Sequence, residues 1–406
     1  MQVILYPIAL ALAYLYLQVY SAPSKKKGTE IKAPSTIGIL CSSIMNVLLW
    51  LFLFLSLKEL LMFPCRSYTV PDQTSKIFVI TGANSGLGLE TARRLVMANG
   101  TVIMGCRSLQ RCQQAIETVI RPSMPDTEWE GKKEKVKCLY IDLSDLKTIE
   151  HFAAQVVEEY GIVDVLINNA GIMNVPERTL VPSMNTKEMV ELTLCANHVG
   201  HFLLTSLLLP NINSHSGIII NHSSGMGLFP ATLPSVDASY LQGATDDSTY
   251  NGWLAYINSK KANLLFTYAL NKRLGSTTHS TKGGRGIKNT NMDVNGRFDY
   301  SSSHIKAIAV HPGYTATALQ HGAIPLSEWN NYLFGMTVHD GSMSQLRAAT
   351  DPEAAPSGSV DSMLGPVLGG WGPAWFSIPT IGVGGEEEEI LWNDSVRLNG
   401  RKGVFR

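Results

Sequence analysis

A glycine-rich segment between two regular elements restricts the fold of this chain more than any other feature. The segment "TGANSGLG", residues 81–88, follows a strand-length apolar run and leads into an amphipathic, helix-like run. In this context Gly82 is expected to make the turn, Gly86 to let the backbone approach a phosphate, and Gly88 to let helix and strand pack closely. The N-terminus of the following helix favours negative charge. The segment therefore predicts a phosphate-binding loop after the first strand of an α/β sheet.

Short apolar runs alternate with longer amphipathic ones from Ser75 to about Pro312. These runs lack the polar–apolar alternation of a half-exposed strand, which is typical of a parallel sheet covered on both faces. Repeated β–α units of this kind predict an α/β fold with a Rossmann-like, doubly wound parallel sheet. The predicted strands are residues 76–81, 101–105, 136–141, 163–168, 217–221 and 305–310.

The first sixty residues contain two long apolar segments without a charged side chain. Residues 1–20 form one, and residues 36–57 form another of 22 residues. Each is long enough to cross a bilayer at about 1.5 Å per residue. We therefore predict a membrane anchor over residues 1–63, with one or two transmembrane helices and a Lys-rich linker. A cleaved signal peptide is the alternative for the first segment.

The remainder, residues 75–406, is predicted to be one α/β domain with a polar insertion at residues 276–304. The 33 basic and 33 acidic residues balance, so the chain has no net field to attract nucleic acid. The six cysteines show no metal-ligand spacing and are expected to be small buried residues that stay reduced. The glutamate run at residues 386–389 is expected to be solvated.

Several ordered motifs resemble those of the short-chain dehydrogenase/reductases. The glycine spacing is T-G-x-x-x-G-x-G, where the ordinary Rossmann motif is G-x-G-x-x-G. The other motifs follow in that family's order: "NNAG" (168–171), "NHVGHF" (197–202), "NHSSG" (221–225), "YINSK" (256–260) and "HPGYTAT" (311–317). The wording of "NHVGHF", "SKKANLLFTYALNKRL" and "AVHPG" most resembles the retinol-dehydrogenase-like branch. The resemblance implies an oxidoreductase that uses a nicotinamide cofactor.

The resemblance implies catalytic roles for Asn197, Ser224, Tyr256 and Lys260. Tyr256 and Lys260 share one face of a predicted helix, and an adjacent ammonium lowers the pKa of a phenol. Tyr256 would therefore transfer the proton, while Lys260 would lower its pKa and hold the nicotinamide ribose. Ser224 would hydrogen-bond the substrate oxygen, and Asn197 would bind a water that links Lys260 to solvent. Ser223 remains an alternative to Ser224, because neighbouring strand residues face opposite ways.

Other polar residues near these motifs are interpreted as structural. His198, His201, His222 and His311 are expected to pack or to form hydrogen bonds, and Lys261 is expected to be solvated. The insert between Ser224 and Tyr256 either covers the site or loops outward.

Arg107 stands near the position where NAD-binding relatives usually carry an acidic residue. A guanidinium can pair bidentately with a 2′-phosphate, so we expect NADP(H), with Arg111 as the next candidate for the phosphate. Asp142 would contact the adenine by family analogy. The resemblance implies cofactor contacts at Gly82, Asn84, Ser85, Gly86, Leu87, Gly88, Arg107, Asp142, Leu143, Asn169, Ala170, Gly171, Tyr256, Lys260, Pro312, Gly313, Thr315 and Thr317.

Together, the anchor and the resemblance imply a membrane-anchored enzyme that interconverts an apolar alcohol and its aldehyde or ketone. The substrate would be of the retinoid, sterol or fatty-aldehyde type, without a metal or nucleic-acid partner, and a homo-oligomer is left open. The alternatives are a protochlorophyllide-type reductase, a nucleotide-sugar epimerase and a non-catalytic NADP-binding scaffold.

The side of the membrane that the domain faces is predicted by two conflicting arguments. If both apolar segments span, the positive-inside rule places the Lys-rich linker in the cytosol and sends the domain to the lumen. Singly anchored relatives often face the cytosol, where NADPH-dependent reduction is more usual. We expect a cytosol-facing domain on the endoplasmic reticulum.

Overall fold

A computed structural model describes most of the chain from Tyr68 onward. Its residues divide into two units, Met1–Ser67 and Tyr68–Arg406. The described residues are Leu53 and residues 68–183, 188–225, 236–237, 239–243, 246–275, 304–315, 336–351, 362–364, 377–379 and 386–400. Apart from Leu53, the predicted anchor segments lie outside them, as do almost all of the polar insertion and Thr317.

The strands in the described part of the chain are β1 (Ile77–Thr81), β2 (Thr101–Cys106), β3 (Val136–Tyr140), β4 (Val165–Asn168), β5 (Leu180–Pro182), β6 (Met189–Glu191), β7 (Ile218–His222), β8 (Lys306–Val310), β9 (Ser362–Leu364) and β10 (Ser377–Pro379). Among these residues, the main sheet has eight strands in the order β10-β9-β8-β7-β4-β1-β2-β3. Neighbouring strands pair in parallel except for β9 with β10, so the predicted doubly wound sheet is confirmed. Each of the six predicted runs overlaps one strand, and β5 and β6 form a separate hairpin.

Helices cover both faces of the sheet. Val79 of β1 packs into one hydrophobic cluster, while its neighbours Phe78 and Ile80 pack into the cluster on the other face. This double burial explains why the strands read as uninterrupted apolar runs. The helices are α1 (Gly86–Met97), α2 (Leu109–Ala115), α3 (Asp126–Glu130), α4 (Leu146–Tyr160), α5 (Leu192–Asn211), α6 (Gly252–Gly275), α7 (Val338–Gly341), α8 (Met343–Thr350) and α9 (Glu386–Leu398).

Helix α5 begins with a short α-helical turn and continues through a π-helical segment, Cys195–Val199. Among the described residues, α5 alone is long and apolar enough to cross a membrane. Most of it is buried inside the domain, so we interpret it as a core helix.

The C-terminal helix α9 docks on α6 through its glutamates. The prediction of a solvated glutamate run is correct for Glu386 and Glu389, which are exposed, and wrong for Glu387 and Glu388, which are half-buried and buried. Glu387 pairs with Lys261 at 2.9 Å, and Lys261 is only 3% exposed. Glu388 pairs with Lys272 and Glu389 pairs with Arg273, and both of these basic residues are on α6. The prediction that Lys261 is solvated is therefore also wrong, because α9 covers it.

Cys112 of α2 and Cys138 of β3 form a disulfide with a Cα–Cα distance of 6.1 Å. The expectation that all cysteines stay reduced is wrong for this pair. The pair forms because β2 and β3 are neighbours and α2 packs against both strands. Cys106 and Cys195 are buried free thiols, as expected.

Candidate active site

The glycine loop after β1 has the backbone conformation that its sequence predicts. Gly82 and Gly86 have φ values of 65° and 55°, in the left-handed region that favours glycine. A Cβ at Gly82 would lie 2.9 Å from the Cα and Cβ of Ala170. A Cβ at Gly88 would lie 2.5 Å from the Gly82 carbonyl oxygen, so α1 can approach the turn closely only with glycine there.

The loop is tied to the end of β4 by Thr81. The Thr81 hydroxyl accepts hydrogen bonds from the backbone N–H groups of Asn169 and Ala170, each at 3.0 Å. The Asn169 side chain in turn donates to the Thr81 carbonyl at 2.8 Å. These bonds hold the carboxyl ends of β1 and β4 together, and this edge of an α/β sheet is where such folds bind ligands.

A cavity of about 530 Å³ opens at this edge. The side chain of Ser85 does not cap α1, so the N-terminal N–H groups of α1 stay available for an anion. Of the predicted site residues, the lining contains Gly82, Asn84, Ser85, Gly86, Leu87, Arg107, Asp142, Leu143, Asn169, Ala170, Gly171, Ser224, Tyr256, Lys260, Pro312, Gly313 and Thr315. Gly88 and Asn197 lie behind it. The lining and the glycine cradle fit a dinucleotide.

Sequence reasoning missed several lining residues. They include Thr81, Gly105, Cys106, Ser108, Ile141, Ile172, Met173, Ala196 and His222. Thr81 and His222 belong to motifs quoted above, and all nine lie within two residues of a predicted site residue. The motifs therefore located the cavity, although they did not identify every residue of its wall.

Two arginines lie at the end of the cavity beyond β2. Arg107 and Arg111 are both exposed, and both line the cavity. Ser108 lies between them and caps α2 by accepting a hydrogen bond from the Arg111 N–H at 3.3 Å. Asp142 is engaged locally, because its Oδ1 accepts hydrogen bonds from the backbone N–H and the hydroxyl of Ser144.

Helix α6 and the end of β7 bring the three predicted reactive side chains together. Ser224 and Tyr256 hydrogen-bond to each other, and Lys260 lies beneath the tyrosine with its Nζ 5.5 Å from the ring centroid. Ser223 points away, since its hydroxyl donates to the Lys260 carbonyl at 2.7 Å. Ser224 is therefore the serine whose hydroxyl faces Tyr256.

The pKa of Tyr256 differs in direction from the sequence expectation. Burial raises the pKa of Tyr256 to about 12, against the opposite effect of the hydrogen bond with Ser224. Burial also lowers the pKa of Lys260 to about 8. The Lys260 ammonium donates to the His222 carbonyl at 3.1 Å and does not reach the phenol oxygen, so desolvation dominates the pKa of Tyr256.

Asn197 lies in the π-helical segment of α5, and both the oxygen and the nitrogen of its side-chain amide form hydrogen bonds within the protein. Its Oδ1 accepts from the Ile172 N–H at 2.8 Å, and its Nδ2 donates to the Ile172 carbonyl and to Ser259. A Cβ at Gly171 would lie 3.4 Å from this Oδ1 and 3.5 Å from the Lys260 Nζ. Asn197 thus fixes the backbone that passes Lys260, and its predicted role in holding a water stays a prediction.

The histidines near the site are buried, as expected. Burial lowers the pKa values of His198 and His311 to about 4, and those of His201 and His222 to about 3. They are therefore uncharged at neutral pH.

The described parts of the insert before α6 pack against the domain. Tyr240 donates to the Asn258 carbonyl at 2.9 Å, and Tyr250 donates to Glu191 of β6 at 3.2 Å. Tyr240 thus reaches α6 itself, which carries Tyr256, so this part of the insert folds inward.

Comparisons with known proteins identify the family of this chain. A sequence model of the family "short chain dehydrogenase" matches residues 76–237. Human retinol dehydrogenase 13 is 37% identical over 207 residues, which cover 51% of this chain and 56% of that protein. Bovine retinol dehydrogenase 12 is 31% identical over 328 residues, which cover 80% of this chain and 86% of that protein.

A solved structure is also similar. The crystal structure of an uncharacterized protein from Mycobacterium paratuberculosis superposes with a TM-score of 0.56 at 29% identity, covering 84% of this chain and 98% of that chain. The sequence relationships and the shared fold lead to one conclusion. This chain belongs to the short-chain dehydrogenase/reductase family, in its retinol-dehydrogenase-like branch.

Proposed function

We propose that this protein is a membrane-anchored, NADP(H)-dependent oxidoreductase that interconverts an apolar alcohol and its aldehyde or ketone. The observation that carries the proposal is the convergence of Ser224, Tyr256 and Lys260 on the wall of a dinucleotide-sized cavity. A bound nicotinamide supplies or accepts the hydride.

The three side chains supply the proton chemistry and the positioning. Ser224 orients the substrate oxygen toward the Tyr256 hydroxyl. The raised pKa keeps Tyr256 protonated at neutral pH, which suits donation of its proton to a carbonyl oxygen during reduction. Lys260, directly beneath the ring, stabilises the phenolate that donation leaves behind and holds the cofactor ribose.

The apolar substrate class is supported by the retinol dehydrogenases among the relatives and by the predicted anchor, which would concentrate lipophilic compounds at the enzyme. The test is NADPH oxidation by purified protein in detergent micelles, measured with a panel of retinoid, sterol and long-chain aldehydes or ketones. We expect turnover with at least one of these classes and little with short polar carbonyls. Turnover confined to polar carbonyls would contradict the substrate assignment.

Arg107 is proposed to hold the 2′-phosphate of NADP(H). Replacing Arg107 with Asp is expected to weaken NADPH binding about 10- to 100-fold and to improve NADH binding. A carboxylate repels the phosphate and can accept hydrogen bonds from the free ribose hydroxyls. Fluorescence titration with both cofactors measures the change, and Arg121→Asp, on the surface, is the matched control. Unchanged binding of both cofactors would place the phosphate elsewhere, with Arg111 as the next residue to replace.

The domain is proposed to face the cytosol, on the endoplasmic reticulum, because NADPH-dependent reduction is usual there. The Cys112–Cys138 disulfide favours the lumen instead, since disulfides persist in oxidising compartments. Three N-glycosylation sequons, at Asn99, Asn221 and Asn393, separate these orientations. Asn221 is buried in the sheet, whereas Asn99 lies half-buried in the turn after α1, with its side chain bonded to Asp72, and Asn393 is exposed on α9. Asn99 and Asn393 are therefore placed to report lumenal exposure.

For a cytosol-facing domain in sealed native microsomes, we expect added protease to digest the domain and glycosidase to leave its gel mobility unchanged. Membranes opened with detergent are the control for protease access. A protected domain with a glycosidase-sensitive shift that Asn99→Gln, Asn393→Gln or their combination abolishes would show that the domain is lumenal.

A further inference from the structure

A buried chain of hydrogen bonds runs from the C-terminal helix α9 to the carbonyl group that binds Lys260. It starts at Ser395, whose hydroxyl oxygen lies 2.9 Å from His198 Nε2. His198 Nδ1 lies 3.3 Å from Asn263 Oδ1, and Asn263 Nδ2 donates to the His222 carbonyl at 2.9 Å. The same carbonyl accepts the hydrogen bond from Lys260 Nζ at 3.1 Å.

The donor and acceptor atoms of these side chains determine the direction in which each hydrogen bond of the chain is donated. Asn263 uses its amide N–H on the His222 carbonyl, so the atom facing His198 is an acceptor oxygen. The proton of neutral His198 must therefore lie on Nδ1, which leaves Nε2 as an acceptor. The Ser395 hydroxyl proton is shared between this Nε2 and the Leu391 carbonyl, 2.8 Å away.

The three side chains that lead to the His222 carbonyl are buried. His198 and Ser395 are 0% exposed, and Asn263 is 3% exposed. Water cannot easily replace a lost partner there, so each bond constrains the next more than it would at the surface. His198 also packs against the rings of Phe202 and Phe266, at 6.1 and 5.9 Å between centroids.

Helix α9 also packs on α5 and α6, the helices that carry His198 and Asn263, through contacts outside the chain of hydrogen bonds. Arg273 of α6 stacks on Trp392 at 3.8 Å, and Trp392 meets Phe202 of α5 edge-on at 5.0 Å. Together with the Glu387–Lys261 pair, these contacts give Ser395 a defined position over His198.

We propose that Ser395, His198 and Asn263 are positioning residues that fix the His222 carbonyl and, through it, the ammonium group of Lys260. The C-terminal helix thereby becomes part of the structure that orients the catalytic lysine, although it lies outside the cavity. The inference rests on the proposed function, in which Lys260 holds the cofactor ribose.

The test is a double-mutant cycle read by NADPH binding, which does not depend on turnover. His198→Phe keeps a ring in the aromatic cluster but removes both hydrogen bonds. We expect it to raise the NADPH Kd about three- to tenfold in the parent protein. In a Lys260→Met background, the same change should have no further effect, because the group that the chain positions is gone.

Three companion variants separate positioning from general destabilisation. Ser395→Ala removes the hydrogen bond furthest from Lys260 and should raise the Kd less than His198→Phe does. His198→Asn restores a hydrogen-bond donor toward Asn263 and should recover part of the affinity that His198→Phe loses. Val396→Ala, a buried truncation on α9, should lower the Tm and leave the Kd unchanged.

Equal effects of His198→Phe in the parent and in the Lys260→Met background would overturn the positioning role and leave the proposed function intact. Should His198→Phe fail to fold, the same cycle with Ser395→Ala decides the matter by the same criterion. If Lys260→Met alone leaves the Kd unchanged, Lys260 does not hold the ribose, and both the inference and that part of the proposed function are wrong.

Discussion

Replacing Tyr256 with Phe is expected to reduce turnover about 10²- to 10⁴-fold while NADPH still binds. The change removes one hydroxyl and keeps the ring, so the packing of α6 should survive. Without the hydroxyl, the carbonyl oxygen loses the proton donor that hydrogen-bonds to Ser224. Steady-state turnover and NADPH titration on the same preparation measure the two effects separately.

The matched control is Tyr160→Phe, which removes a half-buried tyrosine hydroxyl at the end of α4, outside the cavity. It should change neither turnover nor binding. Substantial turnover by the Tyr256→Phe protein would show that another group moves the proton.

Replacing Lys260 with Met is expected to lower both turnover and NADPH affinity, each by at least about tenfold. Methionine preserves the length and most of the packing but removes the ammonium. The enzyme would lose the cation that stabilises the Tyr256 phenolate and the donor that holds the ribose. Lys147→Met, at an exposed position of α4, is the control and should be neutral.

The Lys260 prediction also has a pH dependence. Because burial lowers the pKa of Lys260 to about 8, the free enzyme carries the ammonium below that pH and loses it above. NADPH affinity of the parent should therefore fall as the pH rises through about 8, and this fall should be absent in Lys260→Met. A variant with the parent's affinity and pH profile would contradict the assignment.

Features encoded by local sequence were predicted correctly. The strands follow from uninterrupted apolar runs, and the conformations of Gly82 and Gly86 follow from their place between β1 and α1. The ordered motifs also located the cavity, because the residues after parallel strands meet at one edge of the sheet.

Features that depend on contacts between distant segments were not predictable. The local sequence around Lys261 predicts a solvated helix residue. Its partner Glu387 lies 126 residues away, so the local sequence does not indicate the pairing. The Cys112–Cys138 disulfide depends on how α2 packs against β3. The raised pKa of Tyr256 depends on burial, which the spacing of Tyr256 and Lys260 does not reveal.

The central claim is that this cavity reduces or oxidises a substrate carbon while Tyr256 moves the proton. In the most direct measurement, the protein and a long-chain or retinoid aldehyde are incubated with NADPH that carries deuterium at C4. The two C4 stereoisomers of the labelled NADPH are used in separate reactions. Mass spectrometry of the alcohol product is expected to show one deuterium on the carbinol carbon with one stereoisomer only, and at least about 10²-fold less product with Tyr256→Phe. An alcohol product without deuterium from either stereoisomer, or one formed equally well by Tyr256→Phe, would contradict the account.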